Sequence, residues 1–215
     1  FSPAWDLPLT IWYLGTAHKM PKKGPLRLIT FEGGEGCGKS TQIANLAAHL
    51  KSLGFSVVQT REPGGTPVAE ALRQVVLTGN DQSFDPMGEF LIMCAARRSH
   101  CRDVIIPALT KGHWVLVDRF YDSSWVYQGF VQGLDTKWID QMNERVTDGL
   151  VPGLTVLLDG DPALTIERLK ERGESTNRFD VKPLSFHQKV RQGFLKRTEL
   201  VNKKTPKRMA VIDAL

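Results

Sequence analysis

Residues 33 to 40 read Gly33-Gly34-Glu35-Gly36-Cys37-Gly38-Lys39-Ser40, with the spacing G-x-x-x-x-G-K-[S/T]. Residues of these types in this order bind a polyphosphate. Glycines let successive backbone N–H groups turn toward one anion, Lys39 spans the outer phosphates, and the Ser40 hydroxyl can join the shell of a Mg²⁺ ion. The triphosphate-binding set therefore runs through Gly33, Gly34, Glu35, Gly36, Cys37, Gly38, Lys39, Ser40 and Thr41. A second set of cations, Arg61, Arg73 and Arg97, offers planar forks that match phosphate oxygens in pairs, which suits the dianion of a nucleoside monophosphate. Asp118 closes an apolar run and so places an acid at a strand end. A hard Mg²⁺ takes one or two protein oxygens and completes its shell with phosphates and water.

These groups need a scaffold that converges them. The mostly apolar Leu26-Arg27-Leu28-Ile29-Thr30-Phe31 precedes the loop as a strand, and Thr41 to Leu53 follows with Ile43, Leu46, Ala47, Leu50 and Leu53 at helical spacing. Strand, glycine loop and helix is the order that points a helix N-terminus, with its partial positive charge, at the phosphates. Further strands are read at 56–60, 114–118, 154–159 and 209–212. Helices are read at 67–77, 86–111, 135–147, 162–172 and 184–202, with Pro107 kinking or ending part of the second. The alternation implies an α/β fold: a mainly parallel five-stranded sheet flanked by helices through right-handed crossovers. Asp118 and Asp159 end their strands, on the side where such sheets collect ligands. The polar stretch 173–183 between two helices reads as a short lid.

Composition narrows the function classes. The 215 residues are 41% hydrophobic and 24% charged, as expected for one globular domain. A net charge of +5, from 28 basic and 23 acidic residues, favours anionic ligands but is too mild to demand nucleic acid. Three cysteines, Cys37, Cys94 and Cys101, form no C-x-x-C pair, so neither a disulfide framework nor a zinc site is expected, and a cytoplasmic setting is. The apolar run 7–14 is too short to span a membrane and lacks the features of a secretion signal. Residues 1–19 do not share the logic of the rest, and Met20 is expected to be the native start of a single domain covering residues 20–215. No guanine-reading N-K-x-D is present; Asn202-Lys203-Lys204-Thr205 lacks the acid.

Over residues 26–214 the chain resembles the thymidylate kinases, which pass the γ-phosphoryl group of ATP to dTMP. The resemblance rests on the loop with Glu35 inside it, Arg61-Glu62-Pro63-Gly64-Gly65-Thr66, Ala95-Ala96-Arg97-Arg98, Asp118-Arg119-Phe120, Ser123-Ser124 with Tyr127-Gln128-Gly129, the arginine-bearing lid, and Ile212-Asp213-Ala214. It implies the phosphate-loop nucleoside monophosphate kinase fold, ATP with Mg²⁺, a homodimer, and a dTMP site formed by Glu35, Arg61, Arg73, Met93, Arg97, Arg119, Ser124, Tyr127 and Gln128. Glu35 would contact the sugar 3′-hydroxyl, Gln128 or Arg97 would read the thymine edge, and Tyr127 would crowd the 2′ position. Asp118 would stand near Mg²⁺ and Arg119 near the monophosphate.

One class of the family carries arginine after the loop acid, where this chain has Gly36; the bacterial type has glycine there and supplies the cation from the lid. That resemblance makes Arg178 the first candidate and Arg172 the second, with Arg168 third, to join Lys39 and Arg119 as catalytic groups. Met93 stands where many relatives have a phenylalanine that stacks on the base, and Ser99 where a longer polar residue is common. The chain stops near where relatives continue into a final helix. Two other readings share the loop: a kinase acting on another nucleotide or deoxynucleoside, and a phosphate-loop ATPase switch, which leaves the Arg61 to Thr66 and Tyr127-Gln128 strings unused.

Overall fold

The computed structural model describes residues 27–78, 84–171 and 178–214. Residues 1–19, the candidate Arg172 and the first part of the expected lid, 173–177, lie outside the described residues.

Among the described residues, five strands form one sheet in the order β2-β3-β1-β4-β5, every pairing parallel. The strands are β1 (Leu28–Gly33), β2 (Val57–Arg61), β3 (Trp114–Asp118), β4 (Leu154–Asp159) and β5 (Met209–Asp213). Their sequences show why both sheet faces are covered. Val115 and Val117 pack with Leu28, Cys101, Ile105 and Phe120 on one face, whereas Leu116, Ile29, Phe31, Val156 and Leu158 pack with Ile43 and Ala47 on the other. Successive side chains of a strand point to opposite faces, so continuous apolar runs need helices on both.

The helices are α1 (Lys39–Ser52), α2 (Pro67–Thr78), α3 (Pro86–His100), α4 (Ile106–Thr110), α5 (Tyr121–Ser124), α6 (Thr136–Val146), α7 (Pro162–Glu171) and α8 (Leu184–Lys204). The long helix read at 86–111 is α3 and α4 joined through a wider π-helical turn, Cys101–Ile105. That widening sits just before Pro107, whose missing N–H and bulky ring a regular α-turn accommodates poorly. A second π segment, Trp125–Val131, continues α5 and carries Tyr127 and Gln128. Asp85 opens α3 by accepting from the Gly88 N–H at 2.6 Å, and Pro86 occupies the first turn, where no intrahelical N–H is needed.

Because β1 is central, its C-terminal end lies between two strands reached by opposite crossovers. Such an end leaves a crevice, and the register places Arg61 beside Asp118 and Phe31 beside Asp118 at its rim. Hydrogen bonds from Glu62 N to Asp118 O and from Arg119 N to Phe31 O, both 2.9 Å, prolong the ladder past the strand ends. Each of the three segments therefore leaves the sheet at a fixed position.

Candidate active site

The glycine loop begins where β1 ends. Gly36 and Gly38 have left-handed backbone at φ 71° and 81°, and Lys39 starts α1. A Cβ at Gly36 would lie 2.1 Å from the Thr165 carbonyl oxygen of α7, so the loop approaches that helix more closely than any side chain allows. Lys39 is nearly buried and arches back over the loop, its Nζ donating to Gly34 O at 2.7 Å and Gly33 O at 3.4 Å. Ser40 Oγ donates to Asp118 Oδ2 at 3.1 Å. This pair joins the helix start to the end of β3, two hard oxygens on the phosphate side. Cys37 turns into the core, and burial raises its thiol above the ordinary value.

Arg119 follows Asp118 with φ 63°, an uncommon conformation for a non-glycine residue, and the turn swings its guanidinium over the loop. It donates to Gly33 O at 2.9 Å and to Glu35 Oε1 at 2.7 Å. Tyr127 donates to the same carboxylate oxygen at 3.3 Å, and the Arg119 guanidinium lies 5.4 Å from the Tyr127 ring centre. Burial raises the Glu35 pKa, but the charges of Arg119 and then Lys39 prevail and hold it down at about 2. Behind this group, buried Glu32 accepts from Ser123 Oγ at 2.6 Å, Phe120 N at 2.9 Å and Ser123 N at 3.3 Å. Burial, and next the charge of Asp122, push its carboxyl up to about 7.

A cavity of about 340 Å³ opens between these elements. Of the residues expected from sequence, it brings together Glu35, Gly36, Gly38, Lys39, Ser40, Thr41, Arg61, Arg73, Met93, Asp118, Arg119, Tyr127 and Gln128. Gly33, Gly34 and Cys37 line an adjoining small cavity with Asp159 and Arg191. Arg61 reaches Glu70 at 2.9 Å, and Arg73 donates to Pro63 O at 3.0 Å, so both arginines are held along one wall.

Two of the expected residues stand off the cavity wall in this structure. Arg97 stands behind the wall rather than on it: it is 1% exposed and spends donors on Glu62 Oε2 at 2.7 Å, Asn143 Oδ1 at 2.7 Å and Ser124 Oγ at 3.0 Å. Ser124 is buried beside it. A guanidinium removed from water must find acceptors, and Glu62, itself shared with His100 at 3.0 Å, provides the charge. Arg178, expected to reach the phosphates when the lid closes, here pairs with Glu89, and its guanidinium packs 4.4 Å from the Phe179 ring centre.

Some groups escaped the sequence reading. Glu62, Pro63 and Ser123 line the cavity from within strings already singled out, whereas Val76, Leu77, Leu169 and Phe179 carry no polar signature. Glu89, buried beside the cavity-lining Gln128, reads in sequence as an ordinary first-turn acid of α3. Nothing in its local spacing signals three donors arriving from elsewhere.

A comparison with protein families matches residues 31–215 to the model described as Thymidylate kinase. Among curated proteins, the chain is 48% identical over 188 residues to a thymidylate kinase of Magnetococcus marinus, covering 87% of this chain and 88% of that protein. It is also 48% identical over 186 residues to one of Deinococcus radiodurans, covering 86% and 87%. Among solved structures, a thymidylate kinase from Ehrlichia chaffeensis superposes with TM-score 0.69 at 36% identity, covering 86% of each chain.

Proposed function

Because the chain belongs to the thymidylate kinase family, we propose that it transfers the γ-phosphoryl group of ATP to dTMP, giving dTDP for DNA precursor synthesis and ADP. The observation that supports this most directly is one cavity faced from one end by Lys39 and Ser40 and along its wall by Arg61, Arg73 and Arg119. Two anions facing each other need cations from both sides. The cavity volume, about 340 Å³, lies in the range of small-molecule clefts.

In this reading Gly33 to Thr41 cradle the ATP phosphates, with Lys39 along the outer ones. Arg61, Arg73 and Arg119 receive the dTMP phosphate. One of its oxygens is already ionised, so it attacks the γ-phosphorus without a general base while the bond to the ADP oxygen breaks; positioning and fixed positive charge carry the catalysis. In this reading Lys39 and Arg119, both on the cavity wall, supply that charge. Arg172 is retained only as the family's lid candidate.

Ser40 and Asp118 fit Mg²⁺, since their oxygens meet at 3.1 Å and leave further positions for phosphate and water. Bound there, Mg²⁺ would neutralise charge on the phosphate oxygens. Glu35, with its pKa near 2, stays a carboxylate and so accepts a hydrogen bond from the sugar 3′-hydroxyl. Tyr127 closes the 2′ side, Met93 packs against the base, and Gln128 meets the base edge. Arg97 and Ser124 brace that wall from behind.

The homodimer implied by the family fits the exposed apolar residues Met87 and Leu91 on α3, and sedimentation at micromolar concentration tests it. No helix of the described residues is long and apolar enough to cross a membrane. Three buried free thiols agree with the proposed cytoplasmic setting. The activity is tested by following ADP release with Mg-ATP and dTMP, dUMP, dCMP, dGMP or thymidine. Turnover is expected to be fastest with dTMP, and none with dTMP would end this reading.

A further inference from the structure

Glu89 of α3 lies next to Gln128 of the cavity wall, its side chain only 2% exposed. Three donors meet its carboxylate: Gln128 Nε2 at 2.5 Å and Gln132 Nε2 at 3.2 Å on Oε1, and the Arg178 guanidinium on Oε2. Gln128 is itself 2% exposed and forms part of the cavity wall. Its Oε1 is buried and receives no hydrogen bond from the described residues.

The two ends of an amide are not equivalent before a carboxylate. A carboxylate only accepts, so the Gln128 nitrogen must face Glu89; turning the amide over would set Oε1 against a second acceptor. We infer that Glu89 is a positioning residue for base selection, locking Gln128 with Oε1 as the acceptor, so that the site takes pyrimidines bearing a hydrogen on ring N3 and rejects those with a bare N3 lone pair. This role rests on the dTMP kinase reading of the site. Thymine and uracil carry N3–H and satisfy the buried oxygen. Cytosine presents a lone pair to it and leaves both acceptors unpaired, which a site built around one hydrogen bond rejects strongly.

Arg178 gains a role in the same arrangement. It offsets the charge of a carboxylate that is otherwise costly to bury. Its neighbour Phe179 lines the cavity and meets the Tyr127 ring edge-on at 5.7 Å. The segment carrying Arg178 thus bears on base recognition rather than on the phosphates.

The test compares wild-type protein, Glu89→Gln and the charge-balanced double variant Glu89→Gln with Arg178→Met, using dTMP and dCMP at saturating Mg-ATP. A glutamine at position 89 can donate as well as accept, so Gln128 is free to turn over. Circular dichroism confirms folding, and the double variant removes the buried cation that the single variant strands. For dTMP, kcat/KM is expected to fall roughly tenfold, mostly through KM, while dCMP does not lose in proportion, so the preference narrows. In the NMR spectrum, the Gln128 side-chain N–H bonded to a carboxylate is expected to shift when Glu89 is replaced. A folded double variant with the wild-type dTMP preference overturns the role, as does an equal loss for both nucleotides. Wild-type protein inert toward dTMP overturns the kinase reading itself, and this role with it.

Discussion

Glu32 and Glu35 stand three residues apart, and the protein displaces their carboxyl groups in opposite directions. For Glu35 the pKa falls from 4.5 to about 2, so its contribution to stability is present above pH 4.5 and is lost as the pH falls through 2. For Glu32 it rises from 4.5 to about 7, so its contribution is complete below pH 4.5 and is lost as the pH rises through 7. Urea unfolding across this range should show Glu35→Gln flattening the acid limb and Glu32→Gln flattening the decline toward neutrality. Arg97 gives a second prediction at this scale. Its replacement by methionine leaves Glu62 buried without its guanidinium partner, and should cost about 3–5 kcal/mol of stability in urea unfolding. An arginine that served mainly as a ligand contact would cost far less without substrate.

Between neighbouring elements, the close approach of the glycine loop to α7 does what a side chain cannot. Gly36→Ala meets the Thr165 carbonyl at 2.1 Å and a backbone at φ 71°. It should lower stability by about 2 kcal/mol or more in urea unfolding and raise the KM for ATP, because the loop must shift. The same geometry explains why this backbone has no room for an arginine at that position. Strand and helix limits were legible because they follow local periodicity and turn chemistry: 114–118 and 154–159 were read with the limits observed, and most other ends moved by only one or two residues. The π segments were not legible. Each arises where a helix adjusts to packing on both sides, at Cys101–Ile105 before Pro107 and at Trp125–Val131 under α8, and no residue pattern announces that.

Across the whole molecule, a buried network ties the C-terminal elements to the helix that carries the site. Asp122 of α5 accepts from Arg197 Nε of α8 at 2.7 Å and from Arg208 Nη2, just before β5, at 3.0 Å. Arg208 also donates to Thr155 of β4 at 3.0 Å. Asp122→Ala strands two buried guanidinium groups, of which only Arg197 keeps a second carboxylate, Asp140. Thermal unfolding monitored by circular dichroism should remain a single transition, moved downward by a loss of about 3–5 kcal/mol. Separate melting of α8 and β5 would contradict the linkage.

By itself the sequence determined the strand and helix order, the phosphate loop and the acids at the strand ends, since these depend on residues within one or two turns of each other. Tertiary structure alone decided what each arginine pairs with. Arg119 finds Glu35 across 84 residues, Arg178 finds Glu89 across 89, and Arg97 finds Glu62 across 35. A guanidinium in solution pairs equally well with a phosphate or a carboxylate, and spacing along the chain does not distinguish them. The packing around each one makes the choice: Arg97 is buried against Glu62 and Arg178 lies against Glu89, while Arg61, Arg73 and Arg119 line the cavity wall.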